Sequence, residues 1–357
     1  MDRSKATRPL VLTMGEPAGI GPDVTLAAWS ARRDRDLPYF YCLADPDALA
    51  ARAALIGIDV PIEVVTPAEA ADAFERALPV VRLETRTHAE PGRPDRAAAQ
   101  GVIEAIARAV ADVRAGSAAA VVTNPINKKA LVEAGFQHPG HTEFLGMLSA
   151  AWSGQPARPV MMLAGPGLRC VPATIHVPIS AVPGLLTEEV LLATGRTIDR
   201  DMRRRFGYPR PRIAVAGLNP HAGEGGVMGT EDDAVIRPAV ERLKQEGIDA
   251  FGPLAPDTMF HSAARARYDV ALCMYHDQAL IPTKTVAFSE TVNVTLGLPF
   301  VRTSPDHGTA FDIAGTGTAD FSSLAEALRL ADELAAHEAA YIAAQTASGT
   351  EAPRMSA

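Results

Sequence analysis

The chain has 357 residues, of which 47% are hydrophobic and 21% charged, and a formal net charge of −8. At roughly 150 residues per domain, that is material for two globular domains or one large α/β unit. The acidic balance argues against a nucleic-acid or anionic-membrane surface, both of which call for basic clusters, while leaving room for a locally basic cleft that takes a negative substrate.

The first apolar run, Leu10 to Met14, is too short for a signal-peptide core or a membrane span. Residues 9–13 (P-L-V-L-T) read as a buried strand that enters a glycine-rich turn, M-G-E-P-A-G-I-G-P-D. Pro22 and Asp23 suit the first turn of the helix that follows. Gly15, Gly19 and Gly21 do not match GxGxxG, so the turn is not the dinucleotide fingerprint. Strands are expected at 39–43 and 62–65, and a helix at 97–113 from the spacing of Val102, Ile103, Ile106, Val110 and Val113. A strand at 118–123 delivers the polar loop N-P-I-N-K-K at its C-terminal end, where open α/β sheets place ligands. Pro139 and Gly140 call for a turn just before His141 and Thr142. Residues 160–163 and 170–176 read as a hairpin. Thr187 caps a helix reaching about Phe206. After a strand at 212–218 comes a helix at 231–246, which Pro238 should kink or delay. A strand at 268–274 is followed, after Gly317, by a helix at 323–344. Residues 346–357 read as a frayed tail. There is no internal repeat and no low-complexity linker. The odd, widely spaced cysteines Cys42, Cys170 and Cys273 form no CxxC pair and read as reduced thiols of a cytoplasmic protein.

Three constellations carry chemistry. His176, His221 and His276 each sit where an expected strand gives way to a loop. Separations of about 50 residues exclude a local finger-type site but suit three sheet ends that meet in space. Three neutral imidazoles would hold a divalent transition metal, and strand-end histidines that merely satisfy the structure are the alternative. His141, Thr142, Lys284, Asn293 and Arg302 combine charge with directed hydrogen bonding and suit a phosphate or carboxylate; surface cations are the alternative. In the run 306–315 (D-H-G-T-A-F-D-I-A-G) glycines permit close backbone approach to a phosphate or ribose, or else build a helix-capping turn. His88, His138, His261 and His337 have no comparable setting and read as surface or loop residues.

Six ordered motifs join these residues: M-G-E-P-A-G-I-G-P-D at 14–23, T-N-P-I-N-K at 123–128, G-H-T-E-F at 140–144, G-L-N-P-H-A-G-E-G-G at 217–226, M-Y-H-D-Q at 274–278 and N-V-T-L-G-L-P-F-V-R-T-S-P-D-H-G-T-A at 293–310. Together they resemble the 4-hydroxythreonine-4-phosphate dehydrogenase family of pyridoxal 5′-phosphate biosynthesis. The first motif departs in one place, with Glu16 where many members have Asp.

The resemblance implies a two-domain α/β fold like that of isocitrate and isopropylmalate dehydrogenases, with the active-site cleft between the domains. Domain 1 would comprise 1–140 plus 300–345 on the cofactor side, and domain 2 would comprise 141–299, with the metal ligands and the dimer interface. It further implies metal ligands His176, His221 and His276, and substrate residues His141, Thr142, Lys284, Asn293 and Arg302. His307, Gly308, Thr309, Ala310, Asp312 and Gly315 would hold NAD or NADP. One divalent ion per site (Zn, Co, Mg or Mn) and a homodimer sharing its metal site across the interface, with His276 completing the partner's site, also follow from it. The substrate would be a small phosphorylated amino acid. Asp277, Asp257 and Asp306 are candidates for the general base or for partners orienting a histidine. Rival readings are a paralogous dehydrogenase for 4-phosphoerythronate, 4-phosphothreonate or an aromatic cis-dihydrodiol, and a phosphate acyltransferase of related fold.

Overall fold

A computed structural model describes residues 8–87, 89–136 and 140–348. The expectations for His88, for His138, for the turn at Pro139 and for the tail beyond 348 lie outside them. The α/β reading holds, and the chain groups into two compact units: Met1–Pro159 with Leu298–Ala357, and Val160–Gly297.

The first unit opens with β1 (Leu10–Thr13), β2 (Phe40–Ala44), β3 (Ile62–Val64), β4 (Leu78–Arg82) and β5 (Val121–Thr123). β1, β2 and β5 are buried along their whole length, as parallel strands covered on both faces must be. The second unit contains β6 (Val160–Gly165), β7 (Leu168–Pro172), β8 (Ile213–Ala216), β9 (Ala250–Leu254), β10 (Val270–Cys273) and β11 (Val292–Leu296). The chain then returns to the first unit with β12 (Arg302–Pro305) and the helix Ser322–Ala347. Within the first unit the strand order is β3-β4-β2-β1-β5-β12, all parallel. Within the second it is β11-β6-β7-β10-β8-β9. There β11, β6 and β7 pair antiparallel, whereas β7, β10, β8 and β9 run parallel.

Local chemistry sets several boundaries. The Thr187 hydroxyl accepts from the Val190 amide at 3.2 Å and starts the helix Glu188–Arg204. Pro238 has the expected effect: a π turn, Asp232–Ile236, precedes the helix Arg237–Gln245. Two expectations are corrected. β7 ends at Pro172, so His176 lies in the loop beyond the strand rather than at its end. The helix His141–Ser153, expected in the second domain, belongs to the first unit. Its apolar side explains this: Phe144 meets Phe136 edge-on at 4.9 Å, and Trp152 stacks on Phe300 at 5.4 Å. All three cysteines are buried. Among the described residues no helix is long and apolar enough to cross a membrane.

The second unit buries an ion pair. Arg205 and Asp201 are each 1% exposed, and Arg205 Nη1 lies 3.3 Å from Asp201 Oδ2. The same carboxylate accepts from the Gly297 amide at 2.7 Å and from Arg200 at 2.9 Å. Burial pushes the Asp201 carboxyl up, but the Arg205 and Arg200 cations and the Gly297 amide outweigh it and hold the group below the usual carboxylate range. Removing one partner of such a pair leaves an uncompensated charge, so Asp201→Ala should cost about 3–5 kcal/mol in denaturant unfolding. Because the folded value is depressed, the contribution of Asp201 is present above its unfolded value of about 4 and lost as pH falls through the folded value. The acid limb of the stability curve should therefore be shallower in Asp201→Asn than in the unaltered chain.

Candidate active site

In the first unit the glycine-rich turn packs on the loop after β5. Gly15 has φ +72°, and a Cβ there would lie 2.5 Å from the Pro125 carbonyl oxygen. That contact lets the Glu16 amide donate to Pro125 at 2.8 Å. Glu16 is buried, which pushes its carboxyl up, while the Ala18 amide donating to it opposes the rise. Asn124 reaches back across the turn, donating to the Thr13 carbonyl at 3.1 Å and the Thr25 hydroxyl at 2.9 Å.

This frame presents a buried cationic corner. Arg302, at the start of β12, is 4% exposed and donates through Nη2 to the Thr123 hydroxyl at 2.6 Å. Burial brings its guanidinium down to about 10, so it remains a cation at neutral pH. His141 is the first residue of its helix, and Thr142 follows on the same turn. A Cβ at Gly140 would lie 3.5 Å from Lys128 Nζ, which places that ammonium against the helix start. His141 Nε2 is buried and makes no hydrogen bond among the described residues. Burial, then the charges of Arg302 and Lys128, hold the His141 imidazole well below its ordinary value. Two cations, a neutral imidazole and a helix N-terminus facing one place suit an anion. Lys128 was not singled out from sequence, although the motif T-N-P-I-N-K carries it.

In the second unit the three metal-candidate histidines follow the C-terminal ends of β7, β8 and β10, and β10 lies between the other two. The rings of His176 and His276 are 5.6 Å apart between centroids and line one cavity with Thr174, Tyr275 and Asp277. His276 is the first residue of the helix His276–Val286, and its Nδ1 lies 2.7 Å from Asp277 Oδ1. His221 is exposed and opens a run of left-handed residues, 221–225, with φ of 53°, 53°, 79°, 43° and 66°. His176 is also left-handed, at φ 51°. Such strain costs non-glycine residues about 1–3 kcal/mol each and concentrates at functional sites. Imidazole donors fit a divalent transition ion. Among the described residues, however, no group of three His, Cys, Asp or Glu side chains stands close enough to hold one.

Lys284 lies in the same helix as His276, with its ammonium 5.5 Å from the centre of the Phe288 ring. Asn293 lies within β11, and its buried Oδ1 makes no hydrogen bond among the described residues. Of the substrate candidates, His141, Thr142 and Arg302 are thus in the first unit and Lys284 and Asn293 in the second. Asp257 is exposed in the short turn Pro256–Thr258.

The run 306–315 does not cap the helix that follows it, which begins at Ser322. It lies over the start of the helix Gly21–Ser30: the Ile20 amide donates to Thr309 at 3.0 Å and the Gly315 amide to Asp23 Oδ1 at 2.8 Å. Asp23 also pairs with buried Arg52. His307 Nδ1 contacts the Gly308 carbonyl at 3.0 Å, Ala310 is left-handed, and Asp312 is exposed. A Cβ at Gly308 would meet nothing within 4 Å, so the backbone there is open to a ligand. Asp306 donates its amide to Ser323 at 3.2 Å.

Comparison with known proteins adds names to this geometry. Residues 36–331 match the family model described as pyridoxal phosphate biosynthetic protein PdxA. A 4-hydroxythreonine-4-phosphate dehydrogenase of Bradyrhizobium diazoefficiens is 57% identical over 339 residues, covering 93% of this chain and 98% of that protein. The crystal structure of a 4-hydroxythreonine-4-phosphate dehydrogenase from Klebsiella pneumoniae superposes with a TM-score of 0.80 at 35% identity, covering 92% of this chain and 100% of that one. A terephthalate 1,2-cis-dihydrodiol dehydrogenase from Burkholderia xenovorans superposes with a TM-score of 0.62 at 27% identity, covering 91% of this chain and 98% of that one.

The depressed His141 value has a sign that can be checked. The unfolded chain takes up a proton at this histidine as pH falls below about 6.5, and the folded chain does not, so this residue lowers stability on that side. Ring NMR of selectively labelled protein should show His141 neutral at pH 6, and Lys128→Met should raise its midpoint. An ordinary midpoint in the unaltered chain would contradict the cationic corner.

Proposed function

The chain belongs to the family of pyridoxal phosphate biosynthetic protein PdxA, and from its site residues we propose that it oxidises 4-phosphooxy-L-threonine with NAD or NADP and a divalent metal. The C3 hydroxyl becomes a carbonyl, giving 2-amino-3-oxo-4-(phosphooxy)butanoate, which loses CO2 to form 3-amino-2-oxopropyl phosphate. The observation that carries the reading is the corner where buried Arg302 and Thr123 meet His141 and the exposed Lys128, because a doubly charged phosphate offsets the cost of burying the Arg302 cation and is drawn by both charges.

Each residue set has a task in this reaction. Arg302 and Lys128 hold an anionic end of the substrate, and the neutral His141 imidazole and the Thr142 hydroxyl add directed hydrogen bonds. Lys284 and Asn293 hold the substrate's other polar groups. The run of His307, Gly308, Thr309, Ala310, Asp312 and Gly315 receives the dinucleotide, with the open face of Gly308 against it. His176 and His221 of one subunit, with His276 of the partner subunit, hold the ion. When bound, the ion supplies Lewis acidity at the C3 oxygen and the nicotinamide accepts the hydride. The hydroxyl proton passes to one of Asp277, Asp257 or Asp306; Asp277 also orients His276 through their 2.7 Å contact. The homodimer reading is supported by exposed apolar side chains: Ile179 in the cavity that holds His276, Ile281 in the helix that His276 begins and Phe288 just beyond that helix.

The 27% identity to a dihydrodiol dehydrogenase favours one alternative substrate, an aromatic cis-dihydrodiol. It would leave the cations of the corner without a phosphate. Purified chain should form NADH from 4-phosphooxy-threonine in preference to phosphoerythronate and to a dihydrodiol carboxylate, and equal turnover of phosphoerythronate would overturn the assignment. Chelation should abolish activity and a divalent ion restore it. Loss of a buried, charged hydrogen-bond donor costs about 3 kcal/mol, so Arg302→Ala should lower kcat/KM by about a hundredfold or more.

A further inference from the structure

The three histidine loops of the second unit are tied to one another by buried side chains that none of the roles above uses. Gln278 lies two residues beyond His276 and is 8% exposed. Its Oε1 accepts from the Met274 amide at 2.6 Å, and its Nε2 donates to the Gly217 carbonyl at 2.8 Å. Gly217 leaves β8 and begins the loop that carries His221. On the other side, the buried Thr174 hydroxyl donates to the Met274 carbonyl at 2.8 Å, two residues before His176. Met274 is therefore gripped through both its amide and its carbonyl. Because β10 lies between β7 and β8, the segment 274–278 spans the gap between the His176 loop and the His221 loop.

Each end of that span is under strain. His176, His221, Ala222 and Glu224 are all left-handed, and among the described residues the other non-glycine positions with positive φ are Asp36 and Ala310. The His221 turn has one more anchor. Buried Asp232 accepts from the Leu218 amide at 2.9 Å, from the Asn219 amide at 3.1 Å and from Asn219 Nδ2 at 2.9 Å. That anchor ties the turn to the helix after it. The Thr174 and Gln278 side chains, by contrast, tie one histidine loop to another. Without cross-ties, loops held in unfavourable backbone conformations relax to other geometries, and the spacing of the imidazoles goes with them.

We propose that Gln278 and Thr174 are positioning residues that set the separation of His176 and His221 across β10 and so the affinity of this unit for a divalent ion. This rests on the metal reading above. Gln278→Glu keeps the acceptor for Met274 and removes the donor to Gly217, while Thr174→Val removes the hydroxyl and keeps the shape. The control is Tyr268→Phe, which deletes a buried hydrogen bond of 2.8 Å to the Met259 carbonyl in the same unit but touches no histidine loop. Cobalt affinity of the full-length, metal-stripped proteins, measured by chelator competition, should fall about 10- to 100-fold in Gln278→Glu and in Thr174→Val. The visible spectrum of the bound cobalt should change in both. Tyr268→Phe should lower the melting temperature and leave affinity and spectrum as they were. If both tie variants bind cobalt as the unaltered chain does, or if Tyr268→Phe loses as much affinity as they do, the positioning role is wrong. Should Gln278→Glu fail to fold, Thr174→Val decides by the same criteria. An unaltered chain that binds no cobalt, or a His221→Ala chain that binds it undiminished, would instead overturn the metal reading, and the positioning role with it.

Discussion

A parallel strand hands its chain to a loop at its C-terminal end, and neighbouring parallel strands do so on the same edge of the sheet. In the second unit the register of β7, β10 and β8 therefore determines where His176, His276 and His221 begin. The hydrogen-bonded core beneath them, with Cys170, Ala214, Ala271 and Cys273 all buried, fixes that register. The loops above it have little freedom, because Thr174 and Gln278 join them and Asp232 anchors the last one. Backbone strain at His176 and at 221–225 persists only because so many bonds hold these segments in place.

The first unit obeys a different constraint. Burying Arg302 beside His141 and Lys128 costs free energy, and the Thr123 hydroxyl, accepting at 2.6 Å, offsets part of it. The imidazole responds by staying neutral. A corner built this way gains from an anion more than a solvated cationic surface would, since screening by water is weak there. The two units thus supply complementary halves of the proposed chemistry: imidazoles for an ion in one, and a charged corner for an anion in the other.

Much of this was legible in the sequence because it rests on local rules. The alternation of apolar strands with Gly- or Pro-marked loops located β1, β8 and β10 to within two or three residues. Thr187 and Pro238 acted as capping and helix-disrupting residues do. Other features depend on distant partners and left no local mark. Nothing around His141 reveals that its helix packs through Phe144 and Trp152 on the first unit. Pro282 argues against a helix at 276–286, yet one forms there and puts His276 at its first position. Gly223, Gly225 and Gly226 hint at unusual backbone, but left-handed His221 and Ala222 follow from the Asp232 anchor, fourteen and thirteen residues from the backbone amides it holds at 218 and 219. Lys128 became visible only when the chain was seen to fold back past Gly140.

On the proposed reading, histidines from the loops that follow β7, β8 and β10 together ligate one ion. X-ray absorption at the zinc edge of the zinc-loaded, full-length protein reads the ligand shell directly. The account predicts a nitrogen-dominated shell at about 2.0–2.1 Å with the outer-shell scattering of several imidazoles. A shell of oxygen alone, without imidazole scattering, would contradict it.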